Sequence, residues 1–305
     1  MKDTARLLLY IAGVLVGGAL LAPPLFWLGQ SVIAHGILPS LARYDFDSYF
    51  HRAILIAALV LLWPLFRALR VRSWRDLGLE KNPRAAADLG AGFAIAAVPL
   101  LCCGFILIVL RNYSLRHPLL WGKMAAVLGA VLVVPILEEL LFRGFILGVL
   151  LRSCSRNRAL LIVSALFSVV HFLKPADTTT PADAVRWFSG FVSLGQSFWQ
   201  FGDPLLIIGG FTTLFLVGCI LADARLCARS LWLPIGLHAG WIFANGFFSK
   251  AAHREATALP WLGRDLLTGL VPLAIALISW ALMRSWIESG RSVRRSIENF
   301  LPKDP

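Results

Sequence analysis

Glu138 and Glu139 stand side by side in the run Pro135-Ile136-Leu137-Glu138-Glu139-Leu140-Leu141-Phe142-Arg143-Gly144, inside one of the most apolar parts of a 305-residue chain. The residues before them, Met124 to Leu137, carry no charge. A charged side chain at membrane depth costs at least about 2.5–3.5 kcal/mol, so one found there marks a functional site by default. Glu139 and Arg143 are four residues apart and can pair across one helical turn. Glu138 projects about 100° away on the same helix, which leaves its carboxylate for other work. Two histidines lie in later apolar stretches, His171 and His238. Acids and imidazoles of this kind can activate a water for amide hydrolysis, stabilise an oxyanion and protonate a leaving amine. The same residue types, a glutamate and two histidines, can also ligate zinc and leave one position open for water.

The composition says what must position them. Hydrophobic residues make up 58 % of the chain and charged ones 15 %, and mean hydropathy is +0.74. Such values describe an all-α polytopic membrane protein. In a soluble chain the net charge of +12 would point to nucleic acid. Here lysines and arginines in loops fix topology and contact anionic lipid, so no nucleic-acid partner is expected. Cys102, Cys103, Cys154, Cys219 and Cys227 show neither metal nor disulfide spacing and read as small buried hydrophobes.

Eight spans are expected, near residues 7–28, 53–69, 85–110, 119–151, 159–173, 204–222, 231–248 and 266–282. The first is too long for a signal-peptide core and reads as a retained span. Pro99 is expected to kink the third. Polar stretches are expected at 74–84 and 174–183, and a mixed loop at 33–52. Trp187, Phe191, Leu194 and Phe198 recur at helical spacing and predict an interfacial helix with one aromatic face. With eight spans, 18 basic residues fall on one side and 10 on the other, Arg143 remaining in the membrane. This bias places both termini in the cytoplasm, with the inner (plasma) membrane the expected location.

Depth follows from spacing. Glu138 is 15 residues before Ser153, and His171 is 14 after Asn157. Both therefore lie about 21–23 Å along their helices from the turn that joins spans four and five, so they can meet. His238 lies only about 10 Å into the seventh span from the cytoplasmic side. Asn245 shares its face at i+7, while Phe167 and Ser164 share the face of His171.

Glu138-Glu139-x-x-x-Arg143, then Phe167-x-x-x-His171, then His238 resemble the motifs of the CPBP intramembrane proteases, also called Abi, which include the CAAX prenyl endopeptidases and bacteriocin-processing proteins. The similarity covers about residues 119–248. It implies a catalytic core there, preceded by spans and a basic loop over 1–118 and followed by a last span and basic tail over 249–305. It also implies an endopeptidase with Glu138, Glu139, His171 and His238 as catalytic groups and Arg143 and Phe167 in support. The family often continues H-x-x-x-N, whereas Ile242 stands at that position here; Asn245, one turn on, is the candidate substitute.

On this reading Glu138 with His171 activates the water, His238 stabilises the oxyanion, and Glu139 with Arg143 orients the helix. A carboxylate taken out of water holds a proton more readily, which suits a general base. If a metal takes part, zinc on His171, His238 and Glu138 is the expected set, although there is no H-E-x-x-H. The substrate class is a peptide or membrane protein. Two other classes use the same residues: a Glu/His-relay transporter, which would predict an internal repeat that the chain lacks, and a non-catalytic membrane scaffold, for which Ile242 is the best argument.

Overall fold

The structure is a computed structural model that describes residues 2–70, 82–118, 121–172, 181–256, 258–263 and 265–300. The described residues form nine helices: α1 (Lys2–Ala34), α2 (Phe46–Ala68), α3 (Ala85–Val109), α4, α5 (Arg156–Phe172), α6 (Ser189–Ser197), α7, α8 (Trp232–Ala251) and α9 (Leu270–Phe300). Two of them change pitch. α4 runs over Trp121–Glu139, passes through a π-helical stretch Leu140–Ile146 and ends as Leu147–Leu151. α7 begins at Pro204–Leu206, is π-helical over Ile207–Phe211 and continues over Thr212–Ala228. Two three-residue strands, β1 (Tyr113–Leu115) and β2 (Ala252–Arg254), pair antiparallel with Ser114 opposite His253.

The chain is an all-helical integral membrane protein. Among the described residues six segments are long and apolar enough to cross a membrane: Asp3–Ala34, Phe46–Ala68, Ala85–Val109, Met124–Leu151, Pro204–Ala228 and Leu270–Gly290. The other two expected spans, α5 and α8, are the ones that carry the histidines. α5 has only 17 residues and opens on Arg156-Asn157-Arg158. α8 is buried from Leu233 to Trp241, and a helix encased by others need not be lipophilic on every face. Pro99 lies inside an unbroken α3. The polar stretches expected at 74–84 and 174–183 fall mostly outside the described residues. The expected mixed loop is shorter, because α2 already begins at Phe46.

Two compact units emerge, and neither is contiguous in sequence. The first comprises Met1–Arg72 and His171–Pro204. Its core joins Ala19, Ala22 and Phe26 of α1 to Phe46, Tyr49, Phe50 and Ala53 of α2, with Val185. α6 presents Ser189, Gly190, Ser193 and Ser197 inward. A Cβ on Gly190 would collide with the backbone of Ala19, and the Ser193 hydroxyl donates to Asp47 Oδ1 at 2.9 Å. Trp187, Phe191 and Phe198 face outward, as a surface helix requires. Leu194 departs from that face and packs against the core.

Asp45 caps α2, its Oδ1 accepting from the Ser48 amide at 2.9 Å. The hydrogen bonds with Ser48 hold its carboxyl below the usual range. Asp45→Ala should lower stability by about 1 kcal/mol at neutral pH, measured by thermal unfolding in detergent. Because the folded form favours the carboxylate, that difference is present above the ordinary aspartate range and fades as pH falls through the depressed folded pKa.

The second unit comprises Ser73–Val170 and Leu205–Pro305. Its central helix is α8. A Cβ on Gly236 would meet the backbone of Leu89, and one on Gly240 would meet Phe93 O and Ala96 Cβ, so these glycines let α8 lie tightly on α3. His238 is two residues from each, about 200° around the helix. The packing that buries the glycines against α3 therefore turns the imidazole to the opposite side, toward α4.

Candidate active site

The π-helical stretch of α4 begins immediately after the two glutamates, with Pro135 one turn before them. Helix distortions of this kind recur at functional sites because they re-aim side chains that a regular helix would hold elsewhere. Across the stretch Arg143 Nη1 donates to Glu139 Oε1 at 2.8 Å, both side chains being fully buried. The i,i+4 pairing read from the sequence is thus present, although the helix around it is not regular α.

Glu139 has a second partner. His238 Nδ1 lies 2.8 Å from the same Oε1. An ionised carboxylate can only accept, so Nδ1 carries the ring proton and Nε2 is the free face of the imidazole. Nε2 lies 3.7 Å from Glu138 Oε2. The two neighbouring glutamates therefore address the two nitrogens of one imidazole, Glu139 from behind and Glu138 from the front. Glu139 does more than orient α4: it fixes the tautomer and orientation of His238.

His171 is carried by α5. The division between the two units falls within the last turn of that helix, after Val170, and the helix continues unbroken through Phe172. Phe167, one turn earlier, is fully buried; its ring lies edge-on to His238 with centroids 5.8 Å apart, and Arg143 Cζ stands 4.3 Å over its face. With α5 so anchored, one ligand atom each from Glu138, His171 and His238 lies within 4.8 Å of the others. Glu138 is the most accessible of the acid cluster, its side chain 27 % exposed against 0 % for Glu139.

Two imidazoles and a carboxylate with ligand atoms this close form a donor set that suits a tetrahedral divalent metal with one open position. The second sphere suits it too. A metal-binding histidine commonly donates its other N–H to a carboxylate, as His238 does to Glu139. Glu139 Oε2 and Arg143 Nε are buried atoms without a hydrogen-bond partner among the described residues.

A fourth helix enters the site unannounced by any motif. Arg143 Nη2 donates to the carbonyl of Gly218 on α7 at 3.3 Å. A Cβ on Gly218 would stand 3.0 Å from Ser164 Cα and Cβ and 3.1 Å from Ser164 O, so a bare residue is what allows α7 to approach α5 closely enough to offer that carbonyl. Only the apolar context and the glycine itself could have hinted at this in the sequence. Gly218→Ala should push α7 off α5 at a cost of about 1–3 kcal/mol and lower activity by loosening Arg143; unfolding and turnover measured on the same preparation test both.

Asn245 has another task. Its Oδ1 accepts from the Leu266 amide at 3.0 Å, tying the end of α8 to the segment that precedes α9. It lies seven residues, about 10 Å, beyond His238 along α8, so its amide is a structural fastening and not part of the acid–imidazole cluster. Sharing a helix face with His238 was insufficient to bring it there. The five cysteines are all free.

An acid, two imidazoles and a second acid paired with an arginine thus come together among helices of a largely apolar bundle. Residues 119–244 match a family model described as type II CAAX prenyl endopeptidase Rce1-like. This part of the chain is thus similar to a CAAX-type endopeptidase domain, consistent with the CPBP resemblance of its motifs. Neither a curated protein nor a solved structure matches the chain.

Proposed function

We propose that the protein is an intramembrane endopeptidase that hydrolyses a peptide bond of a membrane-associated protein or peptide, using water held among Glu138, His171 and His238. The observation that carries this reading is the convergence of those three side chains, with ligand atoms within 4.8 Å of one another, in a bundle of largely apolar helices where ionisable groups are costly. Glu138 takes the proton of the water. His171 orients that water from α5. His238, its Nδ1–H fixed on Glu139, presents Nε2 to the same space and stabilises the oxyanion side of the site. Arg143 balances the charge of Glu139 and so keeps it serving His238. When bound on Glu138, His171 and His238, a zinc ion would supply Lewis acidity and a more acidic water.

The basic-residue bias supports both termini in the cytoplasm and an inner (plasma) membrane location. The test is cleavage of a peptide library, with prenylated and unprenylated members, by the purified full chain in detergent. Parallel samples are treated with chelator and then with added Zn²⁺. Cleavage that chelator abolishes and zinc restores supports the metal-assisted form; chelator-resistant cleavage supports the glutamate form. No cleavage of any member, or solute flux through reconstituted protein, sinks the proposal in favour of a scaffold or a transporter.

A further inference from the structure

The second unit holds another buried carboxylate, Asp223 of α7, five residues beyond the Gly218 whose carbonyl receives Arg143. Its side chain is 4 % exposed and gathers donors from three helices. Oδ2 accepts from Trp280 Nε1 at 2.8 Å and lies 2.7 Å from Arg284 Nε, both on α9. Oδ1 accepts from the Cys227 thiol at 3.4 Å and stands 3.9 Å from Arg156 Nη2, which itself reaches Cys227 Sγ at 3.2 Å. Two guanidinium groups therefore converge on one carboxylate, which can neutralise only one of them. The side chains of Arg156 and Arg284 remain 55 % and 49 % exposed, while the group that anchors them is buried. The result is a pair of cations held in fixed relation about one buried carboxylate.

Helix ends fix the level at which this pair sits. α4 ends at Leu151 and α5 begins at Arg156, five residues later. α7 ends at Ala228, little more than one turn after Asp223. On α9, Arg284 follows directly on the apolar run Leu270–Met283. The pair thus lies close to the start of α5, the end of α7 and the point where α9 turns from apolar to polar. The nearby charges add to its field: Arg158 lies in the first turn of α5, which contains no acid, and Arg152 closes α4. Glu288, one turn beyond Arg284, is the nearby acid on α9.

We infer that Arg156 and Arg284, braced on Asp223, form a binding site for the phosphate headgroup of an anionic phospholipid at the membrane surface. A phosphate diester carries one negative charge and accepts from guanidinium forks in paired hydrogen bonds. Basic pockets between helices bind anionic headgroups. Trp280, its indole N–H turned onto Asp223, supplies the aromatic anchor typical of headgroup level. A lipid, and not free phosphate, is the ligand because the apolar helix runs leading up to the pair give acyl chains a surface to lie on.

The test is native mass spectrometry of the full chain in detergent, titrated with phosphatidylglycerol or with phosphatidylcholine of the same acyl chains. Phosphatidylglycerol should be retained preferentially. Arg156→Gln should weaken that retention about fivefold, and Arg156→Gln/Arg284→Gln further, while Arg111→Gln in a distant loop leaves it unchanged. The single variant carries the test, since Arg284 keeps its 2.7 Å contact with Asp223 and the fold keeps its ion pair. Equal retention of the two lipids, or undiminished phosphatidylglycerol binding by Arg156→Gln, overturns the inference. So does displacement of the lipid by millimolar inorganic phosphate, which would make the site one for the free anion. Peptide cleavage plays no part in the readout, so its failure and that of the proposed activity are separable.

Discussion

Glu138→Gln is expected to lower kcat/KM for peptide cleavage by about 10²–10⁴-fold, the range that positioned general-base catalysis contributes, with little change in stability. The amide keeps the size of the carboxylate but cannot take a proton from water. The stability expectation rests on a division of labour between neighbours. It is Glu139, not Glu138, that forms the fully buried pair with Arg143, whereas the Glu138 side chain is 27 % exposed and approaches His238 at 3.7 Å. The loss should appear in kcat with KM nearly constant, because the proton transfer is made only in the transition state. Near-UV circular dichroism and unfolding of the same sample in detergent separate chemistry from folding. Retention of activity within a fewfold of the parent would remove Glu138 from the role of base.

The largest stability effect should come from Arg143→Met. Methionine replaces the bulk of the side chain but strands Glu139, fully buried, without its cation, a change that costs about 3–5 kcal/mol in comparable buried pairs. It also deletes the contact over the face of Phe167 and the hydrogen bond to Gly218 O, so α4, α5 and α7 lose a common fastening. Glu139→Gln/Arg143→Met should recover most of the stability, since neither partner is then a lone buried charge, yet stay inactive because His238 loses the carboxylate that fixes its tautomer. Chemical unfolding in mixed micelles gives the first result and turnover the second. If the double variant is no more stable than the single one, the pair acts through packing and not through charge compensation.

These two variants separate the roles of adjacent residues that the primary structure presents as equivalent. Seen as E-E, both glutamates are buried acids. Seen in the fold, one faces the reacting space and the other braces a histidine from behind, because α8 is turned by Gly236 and Gly240 against α3 and delivers His238 between them.

Several features were readable before any coordinates. Runs of apolar residues long enough to span a bilayer fixed the class of protein, since an unsatisfied backbone in lipid leaves helices as the economical solution. The rise per residue placed Glu138 and His171 at matching distances from the turn between α4 and α5, and they do converge with His238. The four-residue step made the Glu139–Arg143 pair foreseeable. Those inferences rest on constants of the helix, which any stretch of chain obeys.

What the linear order could not supply was rotation and neighbourhood. The π-helical turn of α4, the use of Glu139 by His238, the Gly218 carbonyl on Arg143 and the diversion of Asn245 to Leu266 all depend on how one helix is turned against another. So does the two-sided grip of Asp223 by α5 and α9. Spacing determines depth and face within one helix; packing alone selects which faces meet, because close contact between helices is decided by the shapes of side chains hundreds of positions apart as readily as by those next in line.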